Sequence, residues 1–383
     1  MPKIAILAGE ASGDLIGSHL MSYLNSKIKN LEFIGVGGPE MSKNGLISHF
    51  DYSELSVHGY FDALKKIFRL LSLRSSIVDY FLKEQPDIFI GIDAPDFNFG
   101  VEKRLKFNNI PTFHYVAPSV WAWRKGRILD MKENLNHLFA VFPHEPKIFQ
   151  KSKVPITFVG HPLANKIPLN PSPNKSRKIL NLDISKIIIT LLPGSRSSEI
   201  KYHLELMINT AILINKEMAW RKLNRVEFLI PINSKENYIY INNMINFYST
   251  KIKNIKAIIG HSHDTISSSN MVISVSGTAT LEAALYKKPM IIVYKTSTLS
   301  YFMLKNMLLI PYIGLPNILL NKFIVPEFLQ NNATPESISN KAVEILTDKK
   351  IKKYLNNKFK VLHMSLKRNS SELVYKKIIK YLK

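Results

Sequence analysis

The sequence of 383 residues contains no cysteine. Disulfides, thiolate metal sites and cysteine nucleophiles are therefore excluded, and a reducing compartment is favoured. No stretch offers about 18 uninterrupted apolar residues, so we expect no membrane-spanning helix. The first residues, MPKIAILAGEASGD, run directly into a strand-like segment, so we expect no signal peptide.

Acidic residues are scarce, with 29 Asp and Glu against 52 Lys and Arg, which gives a formal charge of +23. A nucleic acid, an anionic membrane surface or phosphorylated substrates would each suit such a charge. Compositional drift is the alternative explanation, because the lysines are spread along the whole chain. The sequence shows no nucleic-acid-binding motif, so we expect no nucleic-acid partner.

The glycine fingerprints of common nucleotide folds are also missing. The first loop, AGEASGD, is not G-x-G-x-x-G, and GVGGPE has Glu40 where the third glycine belongs. Gly126 in WRKGR is not followed by the GK[ST] of a P-loop. A dinucleotide-dependent oxidoreductase is therefore disfavoured.

Short apolar runs alternate with helix-like segments along most of the chain, which predicts an α/β protein with parallel sheets. The length favours two domains. A polar, proline-bearing stretch, IPLNPSPNKSRK, predicts a linker at residues 167–178. We expect two Rossmann-like doubly wound domains facing across a cleft. They span residues 1–168, completed by C-terminal helices from about 350 to 383, and residues 175–349.

Ligands of such sheets bind beyond the carboxyl ends of the strands, so functional residues are expected in the loops there. The apolar run IFIGI ends directly before Asp93, which predicts a partly desolvated carboxylate suited to general-base catalysis. Glu10 and Ser12 follow the first strand in AGEASGD. In this loop Ser12 and Asp14 are expected to cap the next helix.

Two loops of the second half suit an anion. Gly194, Ser195 and Arg196 in LLPGSR precede a helix, and Gly277 and Thr278 in SGTATLE precede another. Glu282 follows one turn after Thr278, where it can accept hydrogen bonds from ribose hydroxyls. A nucleoside diphosphate is therefore the ligand predicted for this half.

The stretch GHSHD places His261, His263 and Asp264 close together. A metal site is one interpretation, but no second cluster at ligand spacing supports it, and Asp264 suits a helix N-cap. The role of the three residues is left open.

Residues 59–74 show the pattern of an amphipathic helix with interspersed lysine and arginine. Such a helix is either packed in the fold or lies on an anionic membrane. Its large apolar residues are Tyr60, Phe61, Leu64, Ile67, Phe68 and Leu71.

Together AGEASGD, GIDAPDFN, HYVAPSVWAWR, GHPL, LLPGSR, SGTATLE and LPN resemble the lipid-A-disaccharide synthase family, which has the two-domain GT-B architecture. The resemblance implies an inverting glycosyltransferase. The enzyme would join UDP-2,3-diacylglucosamine to 2,3-diacylglucosamine 1-phosphate, releasing UDP and a β-1,6-linked disaccharide phosphate. No metal or other cofactor is implied. The resemblance implies that the enzyme acts at the cytoplasmic side of the inner membrane. The oligomeric state is left open, with a homodimer as one option.

The resemblance also implies residue roles. Asp93 would be the base for the acceptor hydroxyl, with Glu10 and Ser12 beside it. Arg196, Gly277 and Thr278 would hold the diphosphate, and Asn317 in LPN would lie beside the nucleotide. The rival enzyme is a protein similar to UDP-N-acetylglucosamine 2-epimerase, which shares the fold.

Overall fold

A computed structural model describes residues 1–55, 60–118, 127–223, 226–297 and 311–382, without the side chains of residues 53, 60–67, 127, 129 and 130. The chain divides into two units, Met1–Asn165 with Ser365–Lys383 and Lys166–Met364. Each unit is built around one parallel sheet.

The first unit contains a seven-stranded sheet in the order β3-β2-β1-β4-β5-β6-β7. All six neighbouring pairs are parallel. Its strands are β1 (Lys3–Ala8), β2 (Glu32–Val36), β3 (Leu46–Ser48), β4 (Ile88–Ile92), β5 (Thr112–Tyr115), β6 (His137–Ala140) and β7 (Ile156–Phe158). Its helices are α1 (Ala11–Lys27), α2 (Pro39–Ser42), α3 (Tyr60–Glu84), α4 (Pro95–Phe107), α5 (Arg127–Asn134), α6 (Glu145–Phe149) and α7 (Pro162–Lys166).

The second unit contains a six-stranded parallel sheet in the order β10-β9-β8-β11-β12-β13. Its strands are β8 (Ile187–Leu192), β9 (Val226–Ile232), β10 (Ile255–Ile259), β11 (Met271–Val275), β12 (Met290–Tyr294) and β13 (Glu327–Leu329). The remaining helices are α8 (Pro173–Ile179), α9 (Ser197–Trp220), α10 (Lys235–Phe247), α11 (Ser262–Ser268), α12 (Thr278–Leu285), α13 (Leu315–Leu320), α14 (Pro335–Thr347), α15 (Lys349–Leu366) and α16 (Ser370–Ile378).

The strands near the middle of each sheet are continuous apolar runs because helices cover both faces of a parallel sheet. All five residues of β4, and all five of β11, are buried. The predicted α/β class with two doubly wound sheets is confirmed. The last helix, α16, packs on α1 of the first unit, where the rings of Tyr23 and Tyr375 lie 6.1 Å apart.

The irregular part of the predicted linker is shorter than the sequence suggested, because its second half is helical. Residues 173–179 form α8, and the side chain of Arg177 in that helix is buried. Its guanidinium donates to the backbone oxygens of Ile184 and Ser268 and to the side chain of Asn270. These bonds make α8 part of the second unit.

Candidate functional site

The strand order of each sheet reverses at one place, and open α/β sheets bind ligands at that place, beyond the carboxyl ends of the strands. In the first unit the reversal lies between β1 and β4, and in the second between β8 and β11. Glu10 follows β1 and Asp93 follows β4. In the second unit the LLPGSR loop follows β8, and residues 276–278, called the SGT loop below, follow β11. The structure therefore places the sequence-predicted polar loops at the two reversal points.

The backbone at Asp93 adopts an unusual conformation. Asp93 and Ala94 have φ of 54° and 42°, in the left-handed region that residues with a Cβ seldom occupy. The Asp93 N–H donates to the Tyr115 oxygen at 2.9 Å, and Asn98 Nδ2 donates to the Asp93 oxygen at 2.7 Å. Such strain clusters at functional sites, where the surrounding structure enforces it.

The surroundings of Asp93 suit a base. Its side chain is half-buried, and this burial, together with the negative charge of Glu10, raises the pKa of its carboxyl. A raised pKa makes a carboxylate a better proton acceptor near neutral pH. Glu10 itself is the N-cap residue of α1, and Ser12 lies half-buried in its first turn. Because β1 and β4 are neighbouring strands, Glu10 lies in the neighbourhood of Asp93.

A buried polar cluster that the sequence did not reveal lies beside β4. The Nδ1 of His114 is 2.7 Å from Oε1 of Glu102, and both side chains are fully buried. Burial also raises the pKa of Glu102. A Cβ at Gly91 would lie 2.4 Å from Oε1 of Glu102 and 3.0 Å from Cγ of Asn98. The glycine in IFIGI therefore makes room for this cluster next to the strand that positions Asp93.

The expected capping of α1 is wrong. Its N-cap, Glu10, makes no side-chain capping bond, and Asp14 turns away to cap α2 instead. Asp14 Oδ1 accepts from the N–H groups of Gly38 and Met41, both at 2.9 Å, and Oδ2 accepts from Glu40. A Cβ at Gly38 would lie 2.6 Å from Oδ2 of Asp14. The GVGGPE stretch is therefore a structural loop closed over Asp14.

In the second unit the LLPGSR loop is held by Glu199 of α9. The backbone N–H groups of Ser195 and Arg196 lie 3.1 and 3.4 Å from Oε2 of Glu199, and the guanidinium of Arg196 lies 3.4 Å from Oε1. Gly194 has a φ of 123°, and a Cβ there would lie 2.5 Å from the Glu199 side chain. The Glu199 side chain therefore fixes the shape of this loop. The amides of Ser195 and Arg196 were expected to bind an anion, but both already donate to the carboxylate of Glu199.

The SGT loop leaves its start open. Gly277 and Thr278 are exposed, and α12 begins at Thr278 without a side-chain cap, so its first N–H groups can reach a ligand. The preceding Ser276 donates its hydroxyl to the Ile313 oxygen at 2.7 Å. Glu282 lies one turn into the helix, half-buried. The exposed start of α12 and the Glu282 side chain therefore lie one turn apart on the same helix.

The GHSHD stretch has a different role from the predicted cap. Helix α11 begins at Ser262 with His261 as the N-cap, so the expectation that Asp264 is the cap is wrong. Asp264 accepts a hydrogen bond from the Ser176 hydroxyl at 3.0 Å. His263 Nδ1 lies 2.5 Å from Oε1 of Glu282. Among the described residues no three His, Asp or Glu side chains are grouped as a metal site would need.

Asn317 was expected beside the nucleotide, but its side chain has no exposed surface. Its Nδ2 donates to the Val325 oxygen at 2.8 Å and to Oε1 of Glu327 at 2.7 Å. Its Oδ1 accepts from the N–H groups of Ile324 and Val325. Glu327 in turn accepts from the N–H groups of the Ile313–Gly314 segment. Asn317 is therefore connected to Ser276 of the SGT loop by hydrogen bonds that run through Glu327 and the Ile313–Gly314 segment.

The predicted membrane helix is α3. Four of its proposed contact side chains lie outside the described part of the structure: Tyr60, Phe61, Leu64 and Ile67. The residues Trp121 and Trp123 of HYVAPSVWAWR also lie outside it. Phe68 is 84% exposed and Leu71 is 48% exposed. Arg74, by contrast, faces inward: it donates to the Asp96 oxygen at 2.8 Å and lies over the Phe97 ring. In the ranges that are described, no helix is long and apolar enough to cross a bilayer.

Comparison with known proteins gives a consistent result. A family model described as lipid-A-disaccharide synthetase matches residues 4–378. A lipid-A-disaccharide synthase of Methylobacillus flagellatus is 41% identical over 383 residues, covering 100% of both chains. The one from Chromobacterium violaceum is 41% identical over 369 residues, covering 96% of this chain and 94% of its own.

A likeness to solved structures concerns the fold alone. The crystal structure of UDP-GlcNAc 2-epimerase from Neisseria meningitidis bound to UDP-GlcNAc is similar with a TM-score of 0.65 at 13% identity. The match covers 99% of this chain and 100% of that chain. The two-domain α/β architecture is therefore shared with nucleotide-sugar enzymes of different activity.

Proposed function

The chain belongs to the lipid-A-disaccharide synthetase family and is a glycosyltransferase of lipid A synthesis, and on that premise we propose that it joins UDP-2,3-diacylglucosamine to 2,3-diacylglucosamine 1-phosphate. The products are the β-1,6-linked disaccharide 1-phosphate and UDP. The observation that carries the proposal is the carboxylate of Asp93, held in a strained backbone at the strand-order reversal with a raised pKa.

The chemistry assigned to the first unit is proton removal. A sugar hydroxyl is a poor nucleophile, so Asp93 takes the proton of the acceptor 6-hydroxyl as the oxygen attacks the anomeric carbon. Attack from the face opposite the diphosphate breaks the bond to the leaving oxygen and inverts that carbon. Glu10 keeps the Asp93 carboxyl basic through its negative charge. A single base then suffices on this side of the reaction.

The second unit is proposed to hold the departing UDP. The uncapped N–H groups at the start of α12 and the guanidinium of Arg196 offset the charge that develops on the diphosphate. Glu282 accepts hydrogen bonds from the ribose hydroxyls. On this account no metal ion is needed, so protein treated with a chelator should keep its rate. A loss of rate restored by a divalent cation would contradict that part of the proposal.

The amphipathic helix α3 supports binding of the enzyme to a membrane surface. Phe68 and Leu71 are exposed apolar side chains on a helix rich in lysine and arginine. Acyl chains keep both substrates in the bilayer, so an enzyme that lies on an anionic membrane meets them there. We infer peripheral binding at the inner membrane from these features.

The reaction itself is the test. Purified protein should be incubated with the two acylated substrates, with either one omitted as the control. The expected result is equal amounts of UDP and disaccharide, formed only when both substrates are present. Conversion of the UDP-sugar without acceptor, as an epimerase would carry out, would contradict the proposal.

A further inference from the structure

Outside the motifs of the family resemblance, one histidine lies against the carboxylate assigned to the ribose. His263 is the second residue of α11, and its Nδ1 lies 2.5 Å from Oε1 of Glu282 on α12. The His263 side chain is 39% exposed and that of Glu282 is 13% exposed. The contact joins two helices that follow different strands, so it depends on the fold and not on a local turn.

The contact restricts Glu282 in two ways. A glutamate side chain on a helix samples several rotamers, and ordering it costs entropy at each binding event unless it is already held. A carboxylate that is mostly buried also needs a compensating donor or charge. Oε1 of Glu282 and Nδ1 of His263 are both buried and have no hydrogen-bond partner among the described residues, so their 2.5 Å contact is a close charge pair. His263 is therefore the group that holds this carboxylate.

The charge of His263 depends on all the groups around it. The close contact with Glu282 raises the pKa of His263 most, burial opposes this, and Asp264 raises the pKa while Lys166 lowers it. The ring of Tyr286 lies 6.4 Å away. The pKa of His263 is raised overall, so the cation persists to higher pH than in a free histidine. The pairing is complete below the ordinary pKa and is lost as the pH rises through the raised value.

We propose that His263 is a positioning residue for the nucleotide, which holds the Glu282 carboxylate toward the 2′- and 3′-hydroxyls of the ribose. The inference rests on the proposed function, because it assumes a nucleoside diphosphate at the start of α12. It adds a residue that touches Glu282 rather than the ligand. Its consequence is that recognition of the ribose weakens at alkaline pH.

The test compares UDP with 2′,3′-dideoxy-UDP by calorimetric titration of the full chain. Both ligands carry the same titrating diphosphate, so the ratio of their dissociation constants isolates the ribose contact. Wild-type protein at about pH 6 should prefer UDP by about tenfold or more, the range of a hydrogen bond to a charged group. The preference should shrink as the pH rises through the raised pKa of His263, because the imidazole then loses its charge.

The variants separate charge from shape. His263→Ala should bring the ratio close to one at low and at high pH alike. His263→Asn keeps a donor near the position of Nδ1, so it should retain part of the preference and lose the pH dependence. The matched control is His261→Asn on the same loop, whose Nδ1 lies 3.2 Å from Asp264 and not from Glu282. The control should behave as wild type.

The outcomes distinguish this inference from the proposed function. If wild-type protein binds neither nucleotide, the nucleotide site itself is refuted. If Glu282→Ala loses the preference while His263→Ala keeps it with its pH dependence, only the positioning role is refuted. An equal effect of His261→Asn would also overturn it, because the loop rather than the contact would then be responsible.

Discussion

Asn317→Ala is expected to loosen the loops around the nucleotide site without removing a direct ligand contact. The side chain is fully buried and makes four hydrogen bonds of 2.7 to 2.9 Å. Alanine would leave three backbone groups, the N–H of Ile324 and both polar groups of Val325, without these partners. A buried polar group left unpaired costs about 1–3 kcal/mol. Since water can enter the vacated space, we expect about 3–5 kcal/mol of local destabilisation in total.

Hydrogen exchange measures this cost where it arises. A local cost of about 3 kcal/mol corresponds to roughly a hundredfold loss of protection for the amides of Ile324 and Val325. The Ile313 and Gly314 amides, which donate to Glu327, should exchange faster too. The control is Asn332→Ala, at an exposed asparagine of the same unit.

The effect on UDP binding shows whether Asn317 supports the loops around the site or contacts the nucleotide itself. We expect weaker UDP binding in Asn317→Ala and in Glu327→Gln alike, because both variants release the Ile313–Gly314 segment that receives the Ser276 hydroxyl. Loss of UDP binding in Asn317→Ala with all these amides still protected would refute the reasoning. The residue would then contact the nucleotide after all.

Two further predictions concern the first unit. Phe68→Ser should weaken binding to vesicles of anionic phospholipid by about tenfold, since insertion of one large apolar side chain is worth about 1.5–3 kcal/mol. The control is Phe247→Ser, at a 77% exposed site on α10. An equal effect of the two substitutions would contradict a specific role for α3. The rate at limiting acceptor should fall as the pH falls through the raised pKa of Asp93, because only the carboxylate accepts a proton. Glu10→Gln removes a negative charge that raises this pKa, so it should move the acid limb of the profile to lower pH, and an unmoved limb would exclude that influence.

The strands were the most predictable part of the fold. Buried parallel strands are apolar throughout, so runs such as Ile88–Ile92 stand out from the amphipathic helices around them. Strands β3 and β13, at the edges of their sheets, give no such signal. Each has only three residues, which is too short for any periodicity to show. Their pairing is decided by the neighbouring strand and not by their own sequence.

The site was predictable where a residue directly follows a strand. Asp93 and Glu10 are examples, because the chain itself carries them to the sheet edge. Asp14 was misjudged because a residue in the first turn of a helix can cap its own helix or a neighbouring one, and only packing decides between them. The contact of His263 with Glu282 joins residues 19 positions apart on two helices. No spacing rule within one element predicts such a pair.

The variant Asp93→Asn tests whether Asp93 is the base of the sugar transfer. The turnover number with both acylated substrates and the dissociation constant for UDP should be measured on the same preparation. If Asp93 is the base, the turnover number should be lower by about 10²–10⁴, the usual contribution of a general base, with unchanged affinity for UDP. Turnover close to that of the wild type would show that Asp93 is not the base.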